Sequence, residues 1–231
     1  MSGNPTHASR ENVMSLGPIE IDRSSTVDRV AHALREEMYR GTIEGGTSLR
    51  ESNVAASLGV SRSTVREALQ ILTAEGLLVR RPNRGVEVRR LTEAEIEDIF
   101  KARRVLETTA ARSVVQATRT DLVALTEAQR VFEEAVVSSA AASVVTEAHL
   151  SVHVAIVGLL GSPRLTATAR DLMSEIKLAV ATIDRTSDDL PAQVEEHREI
   201  VSLLRQAKGE QAAGLLEAHL AHAKAFMPTT G

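Results

Sequence analysis

The sequence predicts a mostly α chain in two parts: a small front unit of three helices and a two-stranded hairpin, then a larger rear unit made of helices alone. Three observations carry this expectation. Apolar residues recur at helical spacing through most of the 231 residues. Two β-prone runs flank one turn, Pro82-Asn83-Arg84-Gly85, and almost no strand signal follows Thr92. The charge divides at the same place. Residues 26–91 hold eleven Arg, no Lys and eight acids, net +3, whereas residues 92–231 hold fourteen basic and twenty acidic groups, net −6.

Along the chain, residues 1–24 are polar and aperiodic and predict a flexible arm. From Ser25 the apolar residues Val27, Val30, Ala31, Leu34 and Met38 describe a helix of about four turns, with Ser25 or Thr26 available as its cap. Glu51 to Leu58 forms a short helix that Gly59 ends, because a tight turn needs the positive φ that glycine tolerates. Ser61 then caps a second helix whose inward stripe is Val65, Ala68, Leu69 and Leu72. "LLVRR", "PNRG" and "VEVRRL" follow as a hairpin. Three helices and a hairpin over residues 25–91 make a winged helix-turn-helix.

The rear unit, residues 92–231, opens with "LTEAEIEDIFKARRVLETTAARSVV", an amphipathic helix with Thr92 and Glu95 in capping-box spacing. Helical periods return near 120–139, 142–160, 164–186, 191–207 and 209–226, with short breaks, which predicts an antiparallel helical bundle. "VAIVGLLG" is too short to span a membrane and reads as a buried helix segment. With no signal-peptide pattern and no Cys, the expectation is a cytoplasmic, nucleoid-associated protein with no membrane partner. Any metal must then be held by His, Asp or Glu.

With Val65, Leu69 and Leu72 inward, the second helix of the pair turns Arg62, Ser63 and Arg66 outward near its N-terminus, with Thr64 beside them. Arg suits guanine O6 and N7, and the hydroxyls and the helix N-terminus suit phosphate, so double-stranded DNA is the expected partner. Residues 26–91 also resemble the DNA-binding domain of the GntR transcription regulators, most specifically in "GVSRSTVREAL". The resemblance implies operator contacts by Arg62, Ser63, Thr64 and Arg66, with Ser61 near phosphate and the wing residues Asn83, Arg84 and Gly85 in the minor groove. Many members of that family carry Arg where this chain has Ser52; Arg50 is the candidate replacement.

The second constellation lies in the rear unit. His149 and His153 are four apart, on one face of a helix, and His197 and His219 fall on later helices amid apolar or small residues. Imidazoles from three helices converging in a bundle would make a metal site; hydrogen-bonded core histidines are the other reading. Residues 92–226 resemble the FCD ligand-binding domain of the FadR-like GntR branch, in "RRVLETTAARSV", "HLSVHVAIVGLLGSPRL" and "EHREIVSLLRQAKGEQAAGLLEAHLAHA". In that domain one Asp and three His bind a divalent metal that a small organic acid completes. The resemblance places the three His at His153, His197 and His219, and puts His149 where the family has Asp. Four imidazoles favour zinc, nickel or copper over hard cations, with zinc or nickel expected. His222 points away from this set. Arg103 either meets an effector carboxylate or pairs with Glu107 on the helix surface.

These readings together predict a homodimeric transcriptional regulator, a repressor, that binds a palindromic operator under control of a small carboxylate at the metal. A regulator for which the ion itself is the signal is an alternative. A metal-dependent hydrolase is a further one, disfavoured because no acid beside the paired histidines has the placing of a general base.

Overall fold

The structure, a computed structural model, describes residues 25–81, 85–186 and 190–227. The arm expected over residues 1–24 and the hairpin-tip residues Asn83 and Arg84 lie outside them. Helix α1 (Thr26–Tyr39) starts at a full capping box: the Ser25 hydroxyl accepts from the Asp28 amide, and the Asp28 carboxylate accepts from the Ser25 amide. Its buried stripe is Val30, Ala31, Leu34 and Met38. Helix α2 (Glu51–Leu58) ends at Gly59 with φ +65°, and helix α3 (Arg62–Ala74) starts at Ser61. That glycine lets α3 turn back so that Val65, Ala68, Leu69 and Leu72 close on α1. Each buried Leu or Val of this stripe stabilises the unit by roughly 1.5–3 kcal/mol.

Strands β2 (Leu78–Arg81) and β3 (Gly85–Val88) form the expected hairpin, in register Leu78 with Val88 and Arg81 with Gly85. A third strand, β1 (Ser48–Leu49), pairs antiparallel with the other edge of β3, giving the order β1-β3-β2. Leu49, Leu78, Val86 and Val88 face inward from this sheet and join the α1–α3 core.

The rear unit consists of α4 (Glu93–Arg112), α5 (Arg119–Val137), α6 (Ala142–Gly158), α7 (Pro163–Thr186), α8 (Leu190–Arg205) and α9 (Gly209–Ala225). Capping boxes at Thr92/Glu95 and Thr118/Asp121 fix the starts of α4 and α5. Helix α6 packs against α4, α5 and α7, and α8 packs against α5 and α9. The α6 face that carries the paired histidines therefore points into the bundle. Helix α9 begins at the C-terminal end of α4, where a Cβ on Gly209 would collide with the Ala111 carbonyl. Only glycine permits that approach.

Helices α6 and α7 also hold the front unit. Ser143 donates to the Glu36 carboxylate, the Ser174 hydroxyl donates to the Glu75 carbonyl at 2.8 Å, and Arg89 pairs with Glu175 at 2.7 Å. Ala181 enters the winged-helix core itself. Among the described residues no helix is long and apolar enough to cross a membrane.

Candidate functional site

The outward face of α3 is built by its cap. The Ser61 hydroxyl accepts from the Thr64 amide at 3.1 Å and lies 2.8 Å from both the Ser63 and the Thr64 hydroxyls. Three hydroxyls are thus gathered over the positive end of the helix, an arrangement that suits a phosphate oxygen. Arg62, Ser63 and Arg66 are exposed beside them, and Thr64 is half-buried. Arg66 is not loose: its Nε and Nη2 donate to the two Glu51 carboxylate oxygens at 2.9 Å each. Arg50 stands exposed at the residue before α2, and Gly85 begins β3. Helical spacing alone turns Arg66 outward but gives no sign of Glu51, because fifteen residues and a turn separate the partners.

His149 and His153 from α6, His197 from α8 and His219 from α9 are all buried, and each offers a ring nitrogen within 4.8 Å of the others. His222 is exposed and lies against Phe226 instead. The ring of Phe132 stacks on His149 with centroids 4.9 Å apart and planes 13° from parallel, and it meets His197 edge-on. An apolar wall so placed excludes water from one side of the cluster.

The outer hydrogen bonds decide which nitrogens carry hydrogen. His197 Nδ1 lies 2.7 Å from the Gln193 carbonyl, which can only accept, so that nitrogen donates and Nε2 of the neutral ring keeps its lone pair. His219 Nδ1 lies 3.0 Å from Glu196, whose carboxyl the His219 bond holds below its usual range; here too Nδ1 donates and Nε2 is bare. His153 Nδ1 lies 2.8 Å from Glu107 Oε2, and Arg103 Nε donates to Glu107 Oε1 at 2.9 Å. With Glu107 ionised, His153 Nε2 is bare as well. It faces His197 Nε2 at 3.1 Å.

Two lone pairs at that distance repel. Burial pushes His153, His197 and His219 below the ordinary histidine range, so neutral rings are the resting forms. A hydrogen between the facing nitrogens needs one additional proton, on His153, where burial opposes it, or on Glu107. Burial pushes the Glu107 carboxyl up, and the Arg103 guanidinium opposes the rise. A cation among the rings removes the repulsion without any added proton. Three imidazoles turned inward, each fixed at Nδ1 by a carboxylate or carbonyl, are the donor set and outer support that a transition metal uses. The residues present therefore fit such an ion.

Arg103 and Glu107 are 2% and 0% exposed, so their pair is a buried one rather than a pair on the helix surface. Arg103 Nη2 is buried without a hydrogen-bond partner, and the guanidinium lies 5.1 Å from the Phe100 ring centre. The partner of His153 was missed in sequence because Glu107 reaches it from another helix, 46 residues away.

Comparison with known proteins supplies the rest. Residues 26–88 match the family described as bacterial regulatory proteins, gntR family, and residues 98–222 match the FCD domain. The gluconate operon transcriptional repressor of Bacillus subtilis is 46% identical over 88 residues, which is 38% of this chain and 36% of that protein. The match thus spans about a third of that repressor's length. The Nta operon transcriptional regulator of Aminobacter aminovorans is 32% identical over 76% of this chain and 81% of its own. Among solved structures, a Rhodococcus sp. RHA1 protein described as a transcriptional regulator of GntR type superposes with a TM-score of 0.67 at 30% identity, covering 87% of this chain and 97% of that one.

Proposed function

The chain belongs to the GntR family of bacterial regulators and carries an FCD domain, and from that premise we propose a repressor whose operator binding is set by a small organic acid at a divalent metal. The matched families and relatives are transcriptional regulators, which sets aside a hydrolytic use of the histidines. The single observation that carries the metal is the gathering of four buried imidazoles whose ring nitrogens lie within 4.8 Å of one another, with His153 and His197 Nε2 facing at 3.1 Å and the Nδ1 of each engaged elsewhere. His149, His153, His197 and His219 would hold the ion, zinc or nickel by the nitrogen-only donor set. When bound, the ion supplies a positive centre to which a carboxylate can attach.

Arg103 supports the acid half of the reading. Its unpartnered, buried Nη2 can donate to a carboxylate oxygen, while Glu107 holds the rest of the guanidinium in place. Helix α6 carries two of the histidines and, about two to three turns earlier, the Ser143 that bonds Glu36 of α1. A ligand that shifts α6 has a direct route to the front unit, provided it binds the two arrangements unequally.

On DNA, Arg62, Ser63, Thr64 and Arg66 are the proposed contacts in the major groove, with Ser61 and Arg50 near phosphate and the wing residues Asn83, Arg84 and Gly85 in the minor groove. Two copies, as a homodimer, would meet the two halves of a palindrome. A second reading is favoured by His149: four imidazoles already complete a four-coordinate set, which suits a regulator of the ion alone. Operator binding measured against zinc or nickel alone, then with a panel of small carboxylic acids, separates the two. Release that needs the acid supports the first reading; release or capture by metal alone supports the second; no response to either removes both.

A further inference from the structure

The clasp between Glu51 and Arg66 is unusual in its place. Glu51 sits in the first turn of α2, and Arg66 is on the outward face of α3, their side chains 30% and 54% exposed. A carboxylate there lies against the surface that phosphates must approach, and by charge alone it weakens binding. Its two short bonds to Arg66 hold its charge, and the carboxyl is kept below its usual range chiefly by them.

The guanidinium has five N–H donors in a fixed fork. Glu51 takes the Nε hydrogen and one Nη2 hydrogen. The remaining Nη2 hydrogen and one on Nη1 form a parallel pair along the far edge, the pattern that matches guanine O6 and N7. A free Arg would sample many rotamers and could settle on phosphate, which carries no sequence information.

We propose that Glu51 is a positioning residue for sequence readout, clasping the side edge of Arg66 so that its end edge meets a base and is withheld from phosphate. This rests on the reading of Arg66 as a DNA contact. The clasp makes α2 part of the reading apparatus, and it gains discrimination at the expense of raw attraction.

The test uses the full chain and two duplexes: one selected by the unmodified protein from a random pool, and a scrambled duplex of the same length, each titrated from 50 to 200 mM salt. Glu51→Gln is expected to lower the ratio of selected to scrambled affinity by about tenfold, within the range of one bidentate base contact. It should also steepen the salt dependence on scrambled DNA by about one unit of slope, because a freed Arg66 neutralises another phosphate. Added to Arg66→Ala, the same substitution should leave the ratio of selected to scrambled affinity unchanged, raising both affinities alike through the loss of one acid. An unchanged ratio and slope, with Arg66→Ala still losing the selected duplex, would overturn the role of Glu51 alone. If Arg66→Ala binds the selected duplex like the parent, the DNA reading of Arg66 falls and the role of Glu51 with it. Should Glu51→Gln fold poorly, Glu51→Asp, too short to span the clasp, is read by the same two measures.

Discussion

His153 and His197 present their Nε2 atoms to each other at 3.1 Å, while the Nδ1 atom of each is engaged on its outer side, with Glu107 and with the Gln193 carbonyl. With Glu107 ionised, neutral imidazoles so arranged have no hydrogen to share across the gap, and the contact then needs either a cation close by or one proton more, on Glu107 or a ring. A metal ion or one extra proton satisfies it, and the two differ in what they predict.

With a metal in that place, ion binding is also folding energy. Chelated protein should unfold at a lower temperature than protein with added zinc or nickel, with a gain of about 2.7 kcal/mol at a hundredfold excess over Kd. His153→Ala should abolish the gain. Thermal midpoints unmoved by chelation and re-addition would count against the site.

The proton is tested by acid in the chelated protein. Burial lowers His153, His197 and His219 in the folded state, whereas the unfolded chain titrates near 6.5. Between those values the unfolded chain binds more protons, so stability is full above about pH 6.5 and is lost as pH falls toward the folded values. Glu107, raised by burial, contributes in the opposite sense. The net effect expected is a loss of stability on acidification, read from urea midpoints between about pH 7.5 and 5.5. A flat profile would mean that the rings are not held neutral.

The Arg103–Glu107 pair makes a prediction on stability. Because both side chains are buried, Glu107→Ala leaves the guanidinium without its carboxylate, at a cost of about 3–5 kcal/mol. A pair on the helix surface would cost at most about 1 kcal/mol. Urea unfolding distinguishes these, and the small value would contradict the buried arrangement.

Readout of DNA is checked at the neighbouring residue. Arg62 is exposed on the first turn of α3, and Arg62→Ala should cost about 1–3 kcal/mol on a selected duplex and relax its base preference. Affinity and preference equal to the parent's would remove Arg62 as a base reader.

What the sequence made legible follows the range of each signal. Local patterns fixed α1, α2, α3 and the start of α4, since a stripe such as Val65, Ala68, Leu69 and Leu72 and a capping box such as Thr92 with Glu95 lie within a few residues. Strand β1 was not visible, because Ser48 and Leu49 are too few to show alternation and pair only once β3 is in place. The four histidines were recognisable by spacing and resemblance. Their supports were not: Glu107, Glu196 and Gln193 act across helices or through a backbone carbonyl, and Phe132 reaches His149 from α5.

The resemblance to the FCD pattern puts His149 where an Asp is expected, and its substitution tests the proposed donor set most directly. Its ring is buried and stacked on Phe132, and one of its nitrogens lies within 4.8 Å of those of the other three histidines. His149→Asp brings a carboxylate oxygen and a negative charge to the cluster, both of which favour harder ions. Competition titrations should therefore show the affinity for manganese rising relative to nickel, although nickel remains the tighter ion in the Irving–Williams order. The metal-free variant should be less stable than the parent, because it gives up the Phe132 stack and buries an acid in a desolvated site. Added metal should restore more stability to the variant than to the parent. A variant that binds manganese and nickel in the parent's ratio, while its circular dichroism shows an intact helical fold, would mean that residue 149 is not a ligand and that His149 serves only as the ring packed on Phe132.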